Sequence, residues 1–146
     1  MMVKDIMTKK VAAMSPEDTV TDAAALMDDR DVGSVLVCDI EGLLGVVTDR
    51  DIVVRCVANG NDPSEMHLSD IMSKSPTYIT PETTTLEASR LMAKNQIKRL
   101  PVVDDNQVVG VLSLGDLARN KDCDMEASIA ISEICETKES HAKKRL

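Results

Sequence analysis

Gly45-Val46-Val47-Thr48-Asp49-Arg50-Asp51 and Gly110-Val111-Leu112-Ser113-Leu114-Gly115-Asp116 share one pattern: a glycine, two apolar residues, a hydroxyl and, three positions later, a carboxylate. They lie 65 residues apart. Outward from this stretch, the same offset carries Asp5-Ile6-Met7 onto Asp70-Ile71-Met72, Pro16-Glu17 onto Pro81-Glu82 and Leu26-Met27 onto Leu91-Met92. No gap is needed from residue 5 to residue 54. Chance does not hold one offset for so long, so the chain is a tandem pair of similar modules. Differences between the copies then mark where function is built.

Each copy reads as β-α-β-β-α. A short opening segment, Val3–Met7 or Leu68–Met72, leads into an extended stretch at Val11–Met14 or Thr77–Ile79 and then a proline turn. Thr19 with Asp22, and Thr84 with Glu87, have N-cap spacing, the second as a full T-x-x-E capping box. Ala23, Ala24 and Met27, like Ala88, Leu91 and Met92, mark a buried helix face. Ser34–Cys38 and Leu100–Val103 are β-branched runs that turn back into Leu43–Val47 and Val108–Leu112. A second helix starts at Thr48 or Ser113; in the first copy Asn59-Gly60-Asn61-Asp62-Pro63 stops it near Ala58. The expected fold class is α/β (α+β), with a small mixed sheet per repeat. Repeat 1 is expected over 3–60, a linker over 61–67, repeat 2 over 68–120, and a C-terminal helix and charged tail over 121–146. That last helix should begin near Asp124 and bury a stripe of Ala127, Ile131, Ile134 and Cys135; after Thr137 the residues are charged and expected to fray.

Composition narrows the function. The 146 residues carry a net charge of −8, which opposes nucleic acid backbones and anionic membrane surfaces. There is no Phe or Trp, and Tyr78 is the sole aromatic, so stacking platforms for single strands are lacking. Aliphatic residues and methionine must fill the core; Met7, Met27, Met72 and Met92 fall at matched positions and read as core. Cys38, Cys56, Cys123 and Cys135 form no C-x-x-C pair, and His67 and His141 lack ligand company, so no metal site is expected. Cys38 and Cys56 read as small core hydrophobes. No apolar signal core or spanning run is present, so a cytoplasmic protein is expected.

The repeated motif has two readings. As an N-cap, Thr48 or Ser113 accepts a backbone N–H, and Asp51 or Asp116 favours the positive helix end. As a ligand site, the hydroxyl sits near a phosphate while the carboxylate accepts the two hydroxyls of a ribose. No nucleophile–base pair carries a recognisable signature, so no catalytic residue is assigned and the chain is not expected to be an enzyme.

The tandem repeat, the Asp-Ile-Met openings, the Ser15-Pro16-Glu17 and Thr80-Pro81-Glu82 turns, Arg99-Leu100-Pro101-Val102-Val103-Asp104 and the Gly-x-x-[Ser/Thr]-x-x-Asp ends resemble a pair of cystathionine β-synthase (CBS) domains, a Bateman module. The resemblance covers about residues 3–120. It implies two pseudo-symmetric repeats packed sheet to sheet with two clefts between them, adenosine-containing ligands in the clefts, and association into a homodimer. Carried over, Thr48 and Asp51 belong to one cleft and Ser113 and Asp116 to the other. The resemblance also implies that each cleft borrows the opening segment of the opposite repeat. Thr8, Lys10 and Val11, with Val32, are then expected in the repeat 2 cleft; Ser73, Ser75 and Ile97 join Ser34 in the repeat 1 cleft.

The copies differ where a phosphate is expected. Lys98-Arg99 in repeat 2 stand against Gly33-Ser34 in repeat 1. Arg99 can grip a phosphate bidentately and Lys98 adds a point charge, so the phosphorylated ligand is expected in the repeat 2 cleft; Arg50 in repeat 1 either compensates or faces solvent. The leading expectation is a non-catalytic regulatory module that binds AMP, ADP or ATP, requires no cofactor and signals to an effector protein in trans. The alternatives are a dimerisation or protein-interaction platform without ligand, and a sensor of S-adenosylmethionine or a NAD-type dinucleotide.

Overall fold

The computed structural model describes the backbone of residues 1–145 and the side chains of residues 1–134. The chain gathers into two compact units. One holds Val11–Pro76 with the turn Asp105–Val108; the other holds Met1–Lys10, Thr77–Asp104 and the chain from Val109 onward. Both are mixed α+β.

In the first unit, β1 (Ala13–Met14), β2 (Ser34–Asp39), β3 (Gly42–Thr48) and β4 (Ser73–Lys74) form a four-stranded sheet in that order. β1 runs parallel to β2, and the remaining pairs are antiparallel. α1 (Val20–Arg30) crosses from β1 to β2. Its N-terminus is closed by a reciprocal box, Asp22 N–H donating to Thr19 Oγ1 at 3.1 Å and Thr19 N–H to Asp22 Oδ2 at 3.2 Å. Asp31 ends it in the left-handed region at φ 53°. After β3 comes α2 (Asp49–Asp51), which continues as a π-helix over Ile52–Val57, where Ala58 N–H reaches Val53 O. The sequence pattern anticipates a plain helix here. α3 (Leu68–Ile71) drops Leu68 and Ile71 into a core of Val20, Ala23, Val35, Val37, Val47 and Cys56.

The second unit repeats this plan. α4 (Thr85–Asn95), β5 (Arg99–Asp104), β6 (Gln107–Ser113) and α5 (Leu114–Arg119) follow in order. The β5–β6 pair is widened by single bridges, parallel from Ile79 to Val102 and antiparallel from Thr8 to Val111. These match Met14–Val37 and Ser73–Val46 of the first sheet at the 65-residue offset. The opening segments have therefore changed places: Ser73 extends the sheet of repeat 1 and Thr8 that of repeat 2. Val3, on a 3-10 turn at Val3–Asp5, is fully buried among Met92, Leu100, Val102, Leu112 and Leu117. Gly45 and Gly110 permit the exchange. A Cβ on Gly45 would stand 2.7 Å from both Met72 Sδ and Ser73 O; on Gly110 it would stand 2.8 Å from Met7 Sδ and 2.9 Å from Thr8 O.

Several expectations change in detail. The fuller capping box belongs to Thr19, not Thr84: Glu87 N–H donates to Thr84 Oγ1 at 3.2 Å, but the reciprocal bond to the cap backbone is made by Asp22 and not by Glu87. Met27 and Met92 are core, whereas Met7 and Met72 are only half-buried, lying across the two glycines. Cys56 is buried but Cys38 is half-exposed near the end of β2. α6 (Asp124–Arg145) packs on α4 and α5, burying Ala127, Ala130 and Ile134. Ile131, expected in that stripe, is 42% exposed. At about 100° per residue it falls on the stripe's flank. Cys135 and the charged run after Thr137 lie outside the described side chains. Among the described residues no helix is long and apolar enough to cross a membrane.

Candidate functional site

The repeated motif does cap a helix in both copies. Ser113, extended at φ −106° and ψ 159°, ends β6 and opens α5. Asp116 N–H donates to Ser113 Oγ at 3.0 Å, and Ser113 N–H donates to Asp116 Oδ2 at 2.9 Å. Thr48 and Asp51 make the same pair at 3.1 and 2.9 Å. The cap uses one oxygen of each carboxylate. What the other oxygen does distinguishes the copies.

In repeat 2, Asp116 Oδ1 accepts from Arg119 Nη2 at 2.7 Å and from Thr8 Oγ1 at 3.2 Å. Thr8 is 108 residues away in sequence and arrives through its bridge with Val111. Asp116 is one of three buried polar residues among the described ones, at 8% exposure. A buried carboxylate must be paired or hydrogen-bonded, and this one is. In repeat 1 the corresponding contact is loose. Arg55 Nε stands 3.7 Å from Asp51 Oδ1, because its Nη1 donates to Ile71 O at 2.9 Å.

Charge separates the copies further. Leu114 N–H donates to Lys98 O at 2.8 Å, which ties the entry of β5 to the start of α5. This brings Lys98, Arg99, Ser113, Arg119 and Ile131 onto one cleft of about 580 Å³. A neighbouring cleft of about 530 Å³ is lined by Ile6, Asp116, Arg119, Asn120 and Lys121. In repeat 1 the equivalent backbone bond runs from Asp49 N–H to Gly33 O at 2.9 Å. There a carboxylate stands where repeat 2 has Leu114, and a Cβ on Gly33 would come within 3.1 Å of Asp49 Oδ2. Arg50 is exposed. The first unit therefore offers an acidic helix start and the second a cationic one.

Among the sequence-derived residues, the structure brings Thr8, Ser113 and Asp116 together and sets Lys98 and Arg99 beside Ser113. Lys10 is exposed two residues beyond Thr8. Val11 and Val32 belong to the other unit, Val32 packing on its core. Ser34, Thr48, Asp51, Ser73 and Ser75 all fall in the first unit, and Ile97 packs on the core of the second. Exposed Ser73 pairs with Val46, and Ser75, at φ 52°, donates its N–H to Leu44 O. Arg119 and Ile131 were not among the site residues expected from the sequence. Arg119 was legible as an i,i+3 partner of Asp116; Ile131 was absorbed into the stripe of α6.

Among the described residues no cluster of three or more His, Cys, Asp or Glu is placed to hold a metal ion. Burial pushes the Cys38 and Cys123 thiols above the ordinary range, which disfavours the reactive thiolate.

Comparison with known proteins bears on this geometry. The CBS domain family matches residues 3–57 and again 68–122. The CBS domain-containing protein YhcV of Bacillus subtilis is 42% identical over 132 residues, covering 90% of this chain and 94% of that protein. The crystal structure of Hypoxic Response Protein I with two coordinated zinc ions superposes with a TM-score of 0.76 at 30% identity, covering 82% of this chain and 98% of that one. That of CBSX2 in complex with AMP does so with a TM-score of 0.70 at 29% identity, covering 81% and 93%.

Proposed function

The chain belongs to the CBS-domain family, and from that premise we propose that it is a regulatory, non-catalytic module binding an adenine nucleotide of the AMP, ADP or ATP class in its second unit. The observation that carries this reading is the meeting of Thr8 and Asp116 beside a cleft bearing Lys98, Arg99 and Arg119. A diol needs paired acceptors and a phosphate needs cations; this unit holds both, whereas in the first unit Asp49 stands at the helix start and Arg55 is held by the Ile71 carbonyl. The AMP bound by CBSX2 supports the ligand class. In this reading Asp116 receives the ribose hydroxyls, Thr8 orients the carboxylate, and Lys98 and Arg99 hold the phosphate. Ser34, Thr48, Asp51, Ser73 and Ser75 form a weaker, less cationic counterpart.

The base would rest on aliphatic side chains, since Tyr78 is the sole aromatic. Signalling follows from unequal affinity for two arrangements of the module, read by an effector protein in trans. We place the protein in the cytoplasm as a homodimer, in keeping with its unpaired Cys38, Cys56 and Cys123.

Calorimetry with AMP, ADP, ATP, S-adenosylmethionine and NAD on wild type and Asp116→Ala tests the reading. Wild type is expected to bind a phosphorylated adenosine at least tenfold more tightly than the variant. Absence of binding by every one of these at millimolar concentration would refute it and leave the interaction platform.

A further inference from the structure

We propose that Arg119 is a specificity-determining residue that closes Asp116 to any ribose-bearing ligand lacking a phosphate; this rests on the nucleotide reading above. Asp116 Oδ2 accepts from the Ser113 amide and lies 3.4 Å from Thr8 Oγ1, and Oδ1 already accepts from Arg119 and Thr8. An oxygen with two donors has no lone pair for a third. A ribose diol, whose two hydroxyls need both oxygens, therefore engages this carboxylate fully only when the guanidinium leaves it.

The guanidinium is built to leave. The Arg119 side chain is 72% exposed although its partner is 6% exposed. Its head lies over Gly115, where a Cβ would come within 2.9 Å of Nη1, so no side chain pins it from that side. Solvent screens the exposed end of this pair, yet the carboxylate it covers is buried.

The place it would go is fixed by the same geometry. Arg119 borders both clefts, whereas Asp116 lines only one and Lys98 and Arg99 only the other. A released guanidinium thus stands between the diol acceptor and the cationic cleft. A phosphate there replaces the lost carboxylate with another anion, and a bidentate one suits the fork of Arg119. Adenosine supplies no such anion. Repeat 1 lacks the device: Val54 and Arg50 occupy the positions of Arg119 and Gly115, and Arg55 is held by the Ile71 carbonyl.

The test is calorimetry of the full chain with AMP and adenosine, on wild type, Arg119→Ala and Arg119→Lys, with thermal melts as the folding control. Loss of one charge-assisted hydrogen bond is about a tenfold effect or more. Arg119→Ala is expected to weaken AMP about tenfold and tighten adenosine, so that the two affinities converge; Arg119→Lys is expected to retain preference for AMP. Opposite signs for the two ligands are what a merely structural role would not produce. Equal loss of both ligands in Arg119→Ala, or no change in either, overturns this inference while leaving the nucleotide reading intact. Wild type that binds no nucleotide overturns both.

Discussion

Replacing Gly110 by alanine tests the idea that the opening segment of repeat 1 is a structural part of repeat 2. The new Cβ would lie 2.8 Å from Met7 Sδ, 3.2 Å from Met7 Cγ and 2.9 Å from Thr8 O. The thioether can swing aside. The carbonyl cannot retreat cheaply, because Thr8 and Val111 exchange both backbone hydrogen bonds at 2.9 Å. Overpacking of this kind costs about 1–3 kcal/mol, and losing two backbone bonds worth about 1 kcal/mol each gives the same range. An unfolding entropy of about 2.1 cal/mol/K per residue puts a loss of roughly 2 kcal/mol at about 6 °C in Tm for a chain this long. Calorimetric melts would read it. Adding Met7→Ala should recover less than half of the loss, since the carbonyl contact survives. Gly115→Ala is the contrast: its nearest neighbour is the free end of Arg119 at 2.9 Å, and alanine favours a helix over glycine by about 1 kcal/mol, so its Tm should match or exceed wild type. A Gly110→Ala protein melting within about 1 °C of wild type would refute the reasoning.

Three further outcomes follow from the same geometry. Ile131→Glu should weaken AMP binding several-fold with Tm little changed, because the residue borders the cationic cleft and is already 42% exposed; unchanged calorimetric affinity would remove α6 from the site. Thr19→Ala and Thr84→Ala should each cost about 1 kcal/mol in urea denaturation, since each removes one hydroxyl cap bond, while the Thr19 N–H keeps its bond to Asp22. The raised thiols of Cys38 and Cys123 mean that the folded protein holds those protons longer than the unfolded chain. Their contribution to stability is thus complete at neutral pH and declines as pH rises past the ordinary thiol value of 9.0. Urea midpoints from pH 8 to 10 should fall less in Cys123→Ala than in wild type.

Much of this architecture was readable before any coordinates. The 65-residue offset predicted matched elements, and the structure keeps it down to single bridges such as Met14–Val37 and Ile79–Val102. β-branched runs gave β2, β3, β5 and β6 to within two residues, since alternation and turn chemistry are local signals. The exchange of opening segments is not local: nothing in Val3–Thr8 names Val111 as its partner, and only the family resemblance implied the borrowing. The contrast of Lys98-Arg99 with Gly33-Ser34 was visible as composition, but the added acid at Asp49 in repeat 1 needed the Gly33 contact to acquire meaning. Arg119 was missed because the motif was read as ending at Asp116, and Ile131 because helical spacing places it within one turn of the true stripe.

The exchanged opening segments also order the events of synthesis. The first unit is complete once Lys74 has been made, apart from the late turn Asp105–Val108. Residues 1–10 are made before the first unit, yet Val3 shares its core with residues from Ile79 to Ala130 and Thr8 bridges to Val111. That segment therefore waits, with a core valine uncovered, until repeat 2 has been made. A chain cut between Pro76 and Thr77 would leave that segment on one fragment and its binding groove on the other, so the two fragments should reassemble when mixed.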